Sequence, residues 1–172
     1  MSRGDAGHDF ASVEGSSLQD AVEDALCAEV LLVADAEAER QIAFLRRKEP
    51  REEWMPVHYG YEVQIDNEPE KSNEDDRHIT GTLYSLSTPL AKTGKPGPEW
   101  NTMEITLDGP RTIVVLNGTK VTDFKEGDPV PERKFDFEPH RGPRPLEGWF
   151  GLQNHSKDDI VFFKELAITK LK

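Results

Sequence analysis

The chain has 172 residues, with 33 acidic and 21 basic side chains and a formal net charge of −12 at pH 7. Such a charge repels phosphate backbones and anionic lipids, which argues against nucleic-acid binding and membrane adhesion and favours a neutral or cationic ligand. Cys27 is the only cysteine, which excludes an intrachain disulfide and a thiolate metal cluster.

The start of the chain shows no export or membrane segment. Its first ten residues, MSRGDAGHDF, lack the apolar region of a secretory signal, and no run of about 18 apolar residues follows that would cross a bilayer. We expect a disordered tail over residues 1–8 and one soluble domain over residues 9–172. The compartment stays open, because a periplasmic or extracellular protein without its signal peptide would look the same.

Residues 18–47 permit two interpretations. Their sequence, LQDAVEDALCAEVLLVADAEAERQIAFLRR, is rich in Ala and Glu and places apolar residues at helical spacing. The same stretch contains two runs of β-branched residues and leucine, at residues 29–34 and 41–46, with a charged turn between them. From the residues alone, a helix and a pair of strands both remain open.

From about residue 57 onward the pattern is typical of an all-β sandwich or barrel. Short β-rich runs alternate with turn residues: YEVQI, ITGTLYSL, NTMEITL, RTIVVLNGTKVTDF, GWFGLQNH and DIVFFKELAITKL. Asn117-Gly118 predicts a hairpin, because a type I′ turn needs positive φ at both central residues. Two stretches rich in Pro and Gly, residues 88–99 and 129–147, are predicted to be long loops.

Polar side chains share one face of the predicted strand GYEVQID. Val63 and Ile65 point one way, and Glu62, Gln64 and Asp66 point the other way. A wet face of an antiparallel sheet explains this pattern as well as a binding site does.

Two further predicted strands repeat the pattern. Trp100, Thr102 and Glu104 alternate along one strand, and Gln153 and His155 along another. Aromatic rings surrounded by amides and carboxylates suit a sugar, whose ring has apolar faces and a rim of hydroxyls. The motifs of nucleotide-binding loops, serine hydrolases and zinc proteases are absent from the sequence.

Several blocks of the sequence together resemble a known bacterial domain family. In order, they are GYEVQIDN, RHITGTLYSLSTP, PGPEWNTMEITLDGPRTIVVLNGTKVTDF, RGPRPLEGWFGLQNH and VFFKELAITKL. They resemble the 3-keto-disaccharide hydrolase domain family over residues 57–172, with GYEVQI, EWN, LNG and GLQNH as separate matching motifs. The resemblance implies an all-β, concanavalin A-like and laminin G-like jelly roll of two curved antiparallel sheets. It also implies strands, rather than a helix, in CAEVLLVADA and QIAFLRR.

The resemblance implies cleavage of glycosides that are already oxidised at C3 of the sugar. A C3 ketone acidifies the C2 hydrogen, so a base removes that proton, the C1 substituent leaves, and water then adds. The implied catalytic residues are Glu62 or His155 as the base and Arg77 for the oxyanion. A divalent metal held by Asp66 and His155 is the alternative to Arg77, and the sequence leaves the metal requirement open.

The expected substrate-binding residues are Gln64, Trp100, Glu104, Gln153 and Tyr84. The two glutamines are expected to bind sugar hydroxyls and the indole to stack on the ring. Alternatives remain open here: Trp100 equally suits the core, Glu104 and Asn101 equally suit closure of the loop before their strand, and Tyr84 fits either face.

Three functions remain in competition. The expectation that the resemblance favours is a glycoside-cleaving enzyme acting on 3-keto-glycosides and 3-keto-disaccharides. The alternative is a lectin-like, non-catalytic carbohydrate-binding module, since one fold hosts both functions. Glu62, Asp66 and His155 supply more ionisable groups than simple sugar binding needs, which favours the enzyme. A third option is an interaction domain whose acidic stretch at residues 68–76 binds a basic partner.

Overall fold

The computed structural model describes residues 27–36, 40–44, 55–66, 75–97, 99–146, 150–152 and 161–171. The strands and helix in these ranges are, in chain order, β1 (Cys27–Ala36), β2 (Arg40–Phe44), α1 (Met55–Tyr59), β3 (Tyr61–Ile65), β4 (Asn101–Asp108), β5 (Arg111–Leu116), β6 (Thr119–Lys125) and β7 (Val161–Lys170). A short 3-10 turn, Asp76–His78, lies between β3 and β4. The predicted tail over residues 1–8 lies outside the described residues, as do Gln153 and His155.

The described strands form two antiparallel sheets. The larger has the order β6-β5-β4-β1-β7, and the smaller pairs β2 with β3. β1 and β2 are strands, so the prediction that followed from the family resemblance is confirmed against helix propensity. β1 pairs with β4 on one side and with β7 on the other, and this pairing of both strand edges outweighs the weak local preference of Ala and Glu for helix.

The predicted hairpin is confirmed between β5 and β6. Asn117 has φ of 52° and Gly118 has φ of 78°, so both central residues adopt the left-handed conformation that a two-residue type I′ turn needs. Asparagine tolerates this region because its short side chain hydrogen-bonds locally.

The core lies between the two sheets. Alternation along β4 places Met103, Ile105 and Leu107 in the core, where they pack in one cluster with Val63 and Ile65 of β3. The apolar sides of the two sheets therefore face each other, as in a sandwich. The polar side chains of β3 and β4 consequently point away from this core.

The run ITGTLYSL differs from its prediction as a β-rich strand. It forms an isolated bridge, Val63 to Leu83, surrounded by turns. Positive φ values of 89° at Gly81 and 59° at Ser85 interrupt any longer strand. Gly81 also packs closely, since a Cβ there would lie 2.6 Å from Val121 Cγ2.

The two predicted loops contain no strand among their described residues. The loop that ends at Glu99 is attached to β6 by the Leu90 backbone amide, which donates to Val121 O at 2.8 Å. The later loop, residues 126–146, is attached to the segment around β3, since Arg141 Nη2 donates to Ser85 O at 3.3 Å and Arg144 Nε donates to Gly60 O at 3.1 Å.

Candidate functional site

The outer face of β3 carries three buried polar side chains. Glu62, Gln64 and Asp66 are only 3%, 2% and 2% exposed, although they alternate with core residues. Because Val63 and Ile65 pack in the core, the three polar side chains share the other side of the strand, as the sequence predicted. Their burial distinguishes them from an ordinary wet sheet face, because a carboxylate or amide is rarely removed from water without a specific partner.

Tyr84 joins this face from the neighbouring segment. Val63 and Leu83 lie directly opposite each other, and the Tyr84 amide donates to Glu62 O at 2.9 Å. Because Leu83 points into the core, the next residue, Tyr84, points to the side of Glu62. The sequence left the direction of Tyr84 open, and the structure pairs its backbone with that of Glu62 and places its ring 4.9 Å from the ring of His78.

Arg77 is fixed at the edge of this face by Asp75. Its Nε donates to Asp75 Oδ1 at 2.9 Å, and Nη2 donates to Oδ2 at 2.5 Å. The hydrogen bond from Arg77 lowers the pKa of Asp75 to about 2, and the same bond raises the pKa of Arg77. Arg77 thus remains a cation at any pH at which the protein is folded.

His78 is a site residue that sequence reasoning missed. Its ring lies 4.9 Å from the Tyr84 ring, edge to face, and its Nδ1 lies 3.3 Å from Asp75 Oδ1. Burial lowers the pKa of His78, and Asp75 opposes that shift only in part. His78 is therefore neutral at pH 7 and has the protonation state of a proton acceptor. The motif RHITG contained it, but a 3-10 turn gives no period-two signal.

A second charged pair reaches the site from the loop over residues 126–146. Glu138 is 1% exposed, and its Oε2 accepts a hydrogen bond from Arg141 Nη2 at 3.2 Å. Arg141 also donates to Ser85 O at 3.3 Å, and Glu138 interacts electrostatically with Arg77 and His78. The sequence predicted only a loop here, because alternation says nothing about contacts between distant loops.

Gln64 Oε1 and Arg77 Nη1 are among the buried atoms of this group that have no hydrogen-bond partner within the described residues. Buried polar atoms in native proteins are almost always hydrogen-bonded. One is an acceptor and the other is a charged donor, so together they are able to bind a hydroxyl and an oxyanion.

Glu104 and Glu62 belong to different sheets, and Trp100 directly precedes the strand of Glu104. Glu104 alternates with the core residues Met103 and Ile105, so it points away from the core on the outer side of the larger sheet. Trp100 precedes β4 and is 41% exposed. Glu62 points outward from the smaller sheet, and the whole core separates it from Glu104.

The EWN and LNG motifs form a structural network instead. Asn101 Oδ1 accepts from the Lys95 amide at 2.8 Å and from Asn117 Nδ2 at 2.9 Å. Asn117 Nδ2 also donates to Thr93 O at 2.7 Å, while its Oδ1 accepts from the Thr102 amide at 3.0 Å. These bonds attach the loop before β4 to the β5–β6 turn, which is the structural alternative that the sequence left open for Asn101.

The expected roles of Gln153 and His155 stay predictions, since both residues lie outside the described ranges. The alternative of a divalent metal held by Asp66 and His155 stays a prediction for the same reason. Within the described residues, no group of three or more His, Cys, Asp or Glu side chains is arranged to hold a metal ion. No helix in those residues is long and apolar enough to cross a membrane.

A cavity of about 480 Å³ lies on the other side of β3. Its lining includes Tyr61, Leu86, Phe124 and Arg144, and the Arg144 guanidinium lies 5.4 Å from the centre of the Tyr61 ring. Tyr61 packs in the core, on the opposite side of β3 from Glu62. Arg141 also lines the cavity, so the cavity adjoins the Glu138–Arg141 pair.

Most of this sequence matches one known protein family. Residues 31–169 match the model of the 3-keto-alpha-glucoside-1,2-lyase-like domain. The chain therefore belongs to the 3-keto-alpha-glucoside-1,2-lyase-like domain family, and the predicted recognition is confirmed. A comparison with curated proteins gives no match.

Three solved structures from Parabacteroides distasonis ATCC 8503, each described as a "putative glycosyl hydrolase", share the fold. One is 22% identical with a TM-score of 0.62, covering 84% of this chain and 78% of its own. The second is 20% identical with a TM-score of 0.67, covering 86% and 71%. The third is 20% identical with a TM-score of 0.57, covering 84% and 64%. The predicted all-β jelly roll is confirmed.

Proposed function

We propose that this protein cleaves 3-keto-glycosides by removing the C2 proton and eliminating the C1 substituent. The observation that carries the proposal is the burial of Glu62 and Gln64 on one side of β3. The Tyr84 amide bonds to the Glu62 carbonyl, and Tyr84 in turn lies near Arg77 and His78. Membership of the 3-keto-alpha-glucoside-1,2-lyase-like family supports the choice of substrate.

Glu62 is the proposed base. Its side chain is buried, on the same side of β3 as Gln64 and Asp66, and its carbonyl accepts from the Tyr84 amide. In the first step, its carboxylate takes the C2 proton, and the electron pair moves to the C3 oxygen to give an enolate. As the enolate collapses, the C1–O bond breaks and the leaving group takes a proton. Addition of water across the new C1–C2 double bond then completes a net hydrolysis.

Arg77 is proposed to stabilise the enolate oxygen. Asp75 holds the Nε and Nη2 sides of the guanidinium, while Nη1 is buried with no hydrogen-bond partner among the described residues. A fixed cation with one remaining donor is suited to charge that develops only in the transition state, because it needs no reorganisation at that moment. Gln64 Oε1 is the corresponding acceptor for a sugar hydroxyl.

His78 and His155 are proposed for the remaining proton transfers. His78 has the protonation state of an acceptor at pH 7, because burial lowers its pKa. His155 is the second base that the family resemblance implies. Trp100 and Glu104 have no part in this proposal, because Glu104 points away from the core on the larger sheet and Trp100 directly precedes that strand.

The test is release of nitrophenolate from 4-nitrophenyl 3-keto-glucoside. We expect Glu62→Gln to lower the rate by at least about 100-fold, because a positioned base contributes about that much. Arg77→Lys should also lower the rate, since lysine cannot keep both the bidentate contact and the free donor. Glu132→Gln, an exposed carboxylate on the long loop, is the matched control and should leave the rate unchanged.

Deuterium exchange separates this mechanism from the alternatives. The substrate for this test is methyl 3-keto-glucoside, whose methoxide is a poor leaving group. In D2O, the wild-type enzyme should introduce deuterium at C2 of this compound, and the Glu62→Gln variant should not. If the Glu62→Gln variant keeps full activity, the proposed role of Glu62 as the base is wrong. Saturable sugar binding with neither release nor exchange favours the lectin-like module.

A further inference from the structure

Two phenylalanine side chains stand exposed on the loop that borders the candidate site. Phe135 is 55% exposed and Phe137 is 48% exposed. Their rings are stacked, with centroids 5.0 Å apart and planes only 9° from parallel. A pair of ordered, exposed aromatic rings marks a contact surface more often than a single exposed apolar residue does.

The backbone beneath the two rings is held in place. The Glu138 amide donates to Phe135 O at 3.2 Å, and Arg133 Nε donates to Glu138 O at 3.0 Å. His58 Nε2 lies 3.1 Å from Asp136 O, which ties the loop to α1. The rings are therefore presented in a fixed orientation, which lowers the entropy cost of binding a ligand on them.

The same loop is joined to the polar face of β3. Lys134 Nζ lies 3.8 Å from Asp75 Oδ2, and the Lys134 amide donates to Glu138 Oε2 at 2.9 Å. Since Phe135 follows Lys134 in the chain, its backbone lies roughly 10 Å from the Asp75 carboxylate, given the length of a lysine side chain and one residue. That separation is comparable with the length of a disaccharide.

The size and charge of the patch limit what binds there. Two half-exposed phenylalanines offer roughly 200 Å², well below the roughly 800 Å² that each partner contributes to a stable protein interface. A net charge of −12 disfavours anionic ligands. A neutral ring with apolar faces fits both limits.

We propose that Phe135 and Phe137 form a stacking platform for the leaving-group ring of a glycoside whose 3-keto ring occupies the polar face of β3. This inference rests on the proposed function. It assigns contact with the leaving group to these two rings, and it predicts that they favour ring-shaped leaving groups over simple alkyl groups.

The test compares a 3-keto-disaccharide with methyl 3-keto-glucoside. For Phe135→Ala/Phe137→Ala, we expect KM to rise roughly tenfold for the disaccharide, which is the upper range of stacking contacts. The methyl glycoside should stay within twofold of the wild type. Replacement of both residues by Tyr should keep the wild-type ratio, and Leu90→Ala, an exposed apolar residue on another loop, serves as the control.

An equal change for both substrates, or no change for either, overturns the platform. A wild-type dimer that the double variant converts to a monomer, with no effect on KM, also overturns it in favour of a self-association surface. If the wild type cleaves neither compound, the proposed function fails, and calorimetric binding of the same two compounds decides the platform. The platform is supported if the wild type binds the disaccharide more tightly than the methyl glycoside and the double variant loses this preference. It is refuted if the wild type binds the two compounds equally.

Discussion

Asn117 offers the sharpest test of how the EWN and LNG motifs work. The residue has positive φ and makes three side-chain hydrogen bonds, to Thr93, Asn101 and Thr102. We expect Asn117→Ala to destabilise the fold strongly without touching the polar face of β3, since none of these bonds involves a site residue.

The expected loss comes from two sources. Three hydrogen bonds with net contributions near 1 kcal/mol each give about 3 kcal/mol. Alanine with φ near 52° adds about 1 kcal/mol, because its Cβ crowds the following carbonyl in the left-handed region. A total of about 4 kcal/mol is a large share of the 5–15 kcal/mol, roughly, that stabilises a typical domain.

Urea unfolding of the wild type, Asn117→Ala, Asn117→Gly and Asn117→Asp measures these contributions. Glycine loses the same hydrogen bonds without the backbone strain, so it should be about 1 kcal/mol less destabilising than alanine. Aspartate keeps the acceptor for Thr102 and loses both donors, so it should cost about 2 kcal/mol. A cost below about 1 kcal/mol for alanine, at an unchanged m-value, refutes the network. If Asn117→Gly lowers the free energy of unfolding more than Asn117→Ala does, the argument from backbone strain is wrong.

Three further predictions follow from the described contacts. Gly81→Ala should lower the free energy of unfolding by about 3 kcal/mol, whereas Gly109→Ala, with positive φ but open space around it, should cost about 1 kcal/mol. Because the pKa of His78 is lowered in the folded state, the unfolded state binds more protons, and stability should fall as pH drops through 6.5. In unfolding curves measured over a pH series, His78→Gln should weaken this dependence on pH. Lys134→Ala removes an exposed ion pair with Asp75, 3.8 Å long, and should change the free energy of unfolding by less than about 1 kcal/mol. A measured change of several kcal/mol would contradict this prediction.

Local patterns were sufficient where local physics decides the conformation. The hairpin at Asn117 and Gly118 follows from the turn type alone, and the structure confirms it. The polar face of β3 follows from the two-residue period of a strand, which holds whatever the strand packs against. Both predictions depend only on residues within a few positions of one another.

Arg77 and His78 show where such patterns stop. Both reach the polar face because a 3-10 turn and positive φ at Gly81 and Ser85 bring the chain back beside β3. The sequence identified Arg77 only through the family resemblance and missed His78. Glu138 was missed for a related reason, since its contact with Arg141 and its position near Arg77 depend on how a long loop folds over the sheet.

Trp100 and Glu104 show a limit of a different kind. Alternation reveals which residues of one strand share a face, but it does not reveal which of two sheets the strand joins. In a sandwich the apolar faces meet in the core, so the polar faces of the two sheets must lie on opposite surfaces. Glu62 and Glu104 have the same sequence pattern and end on opposite sides of the core.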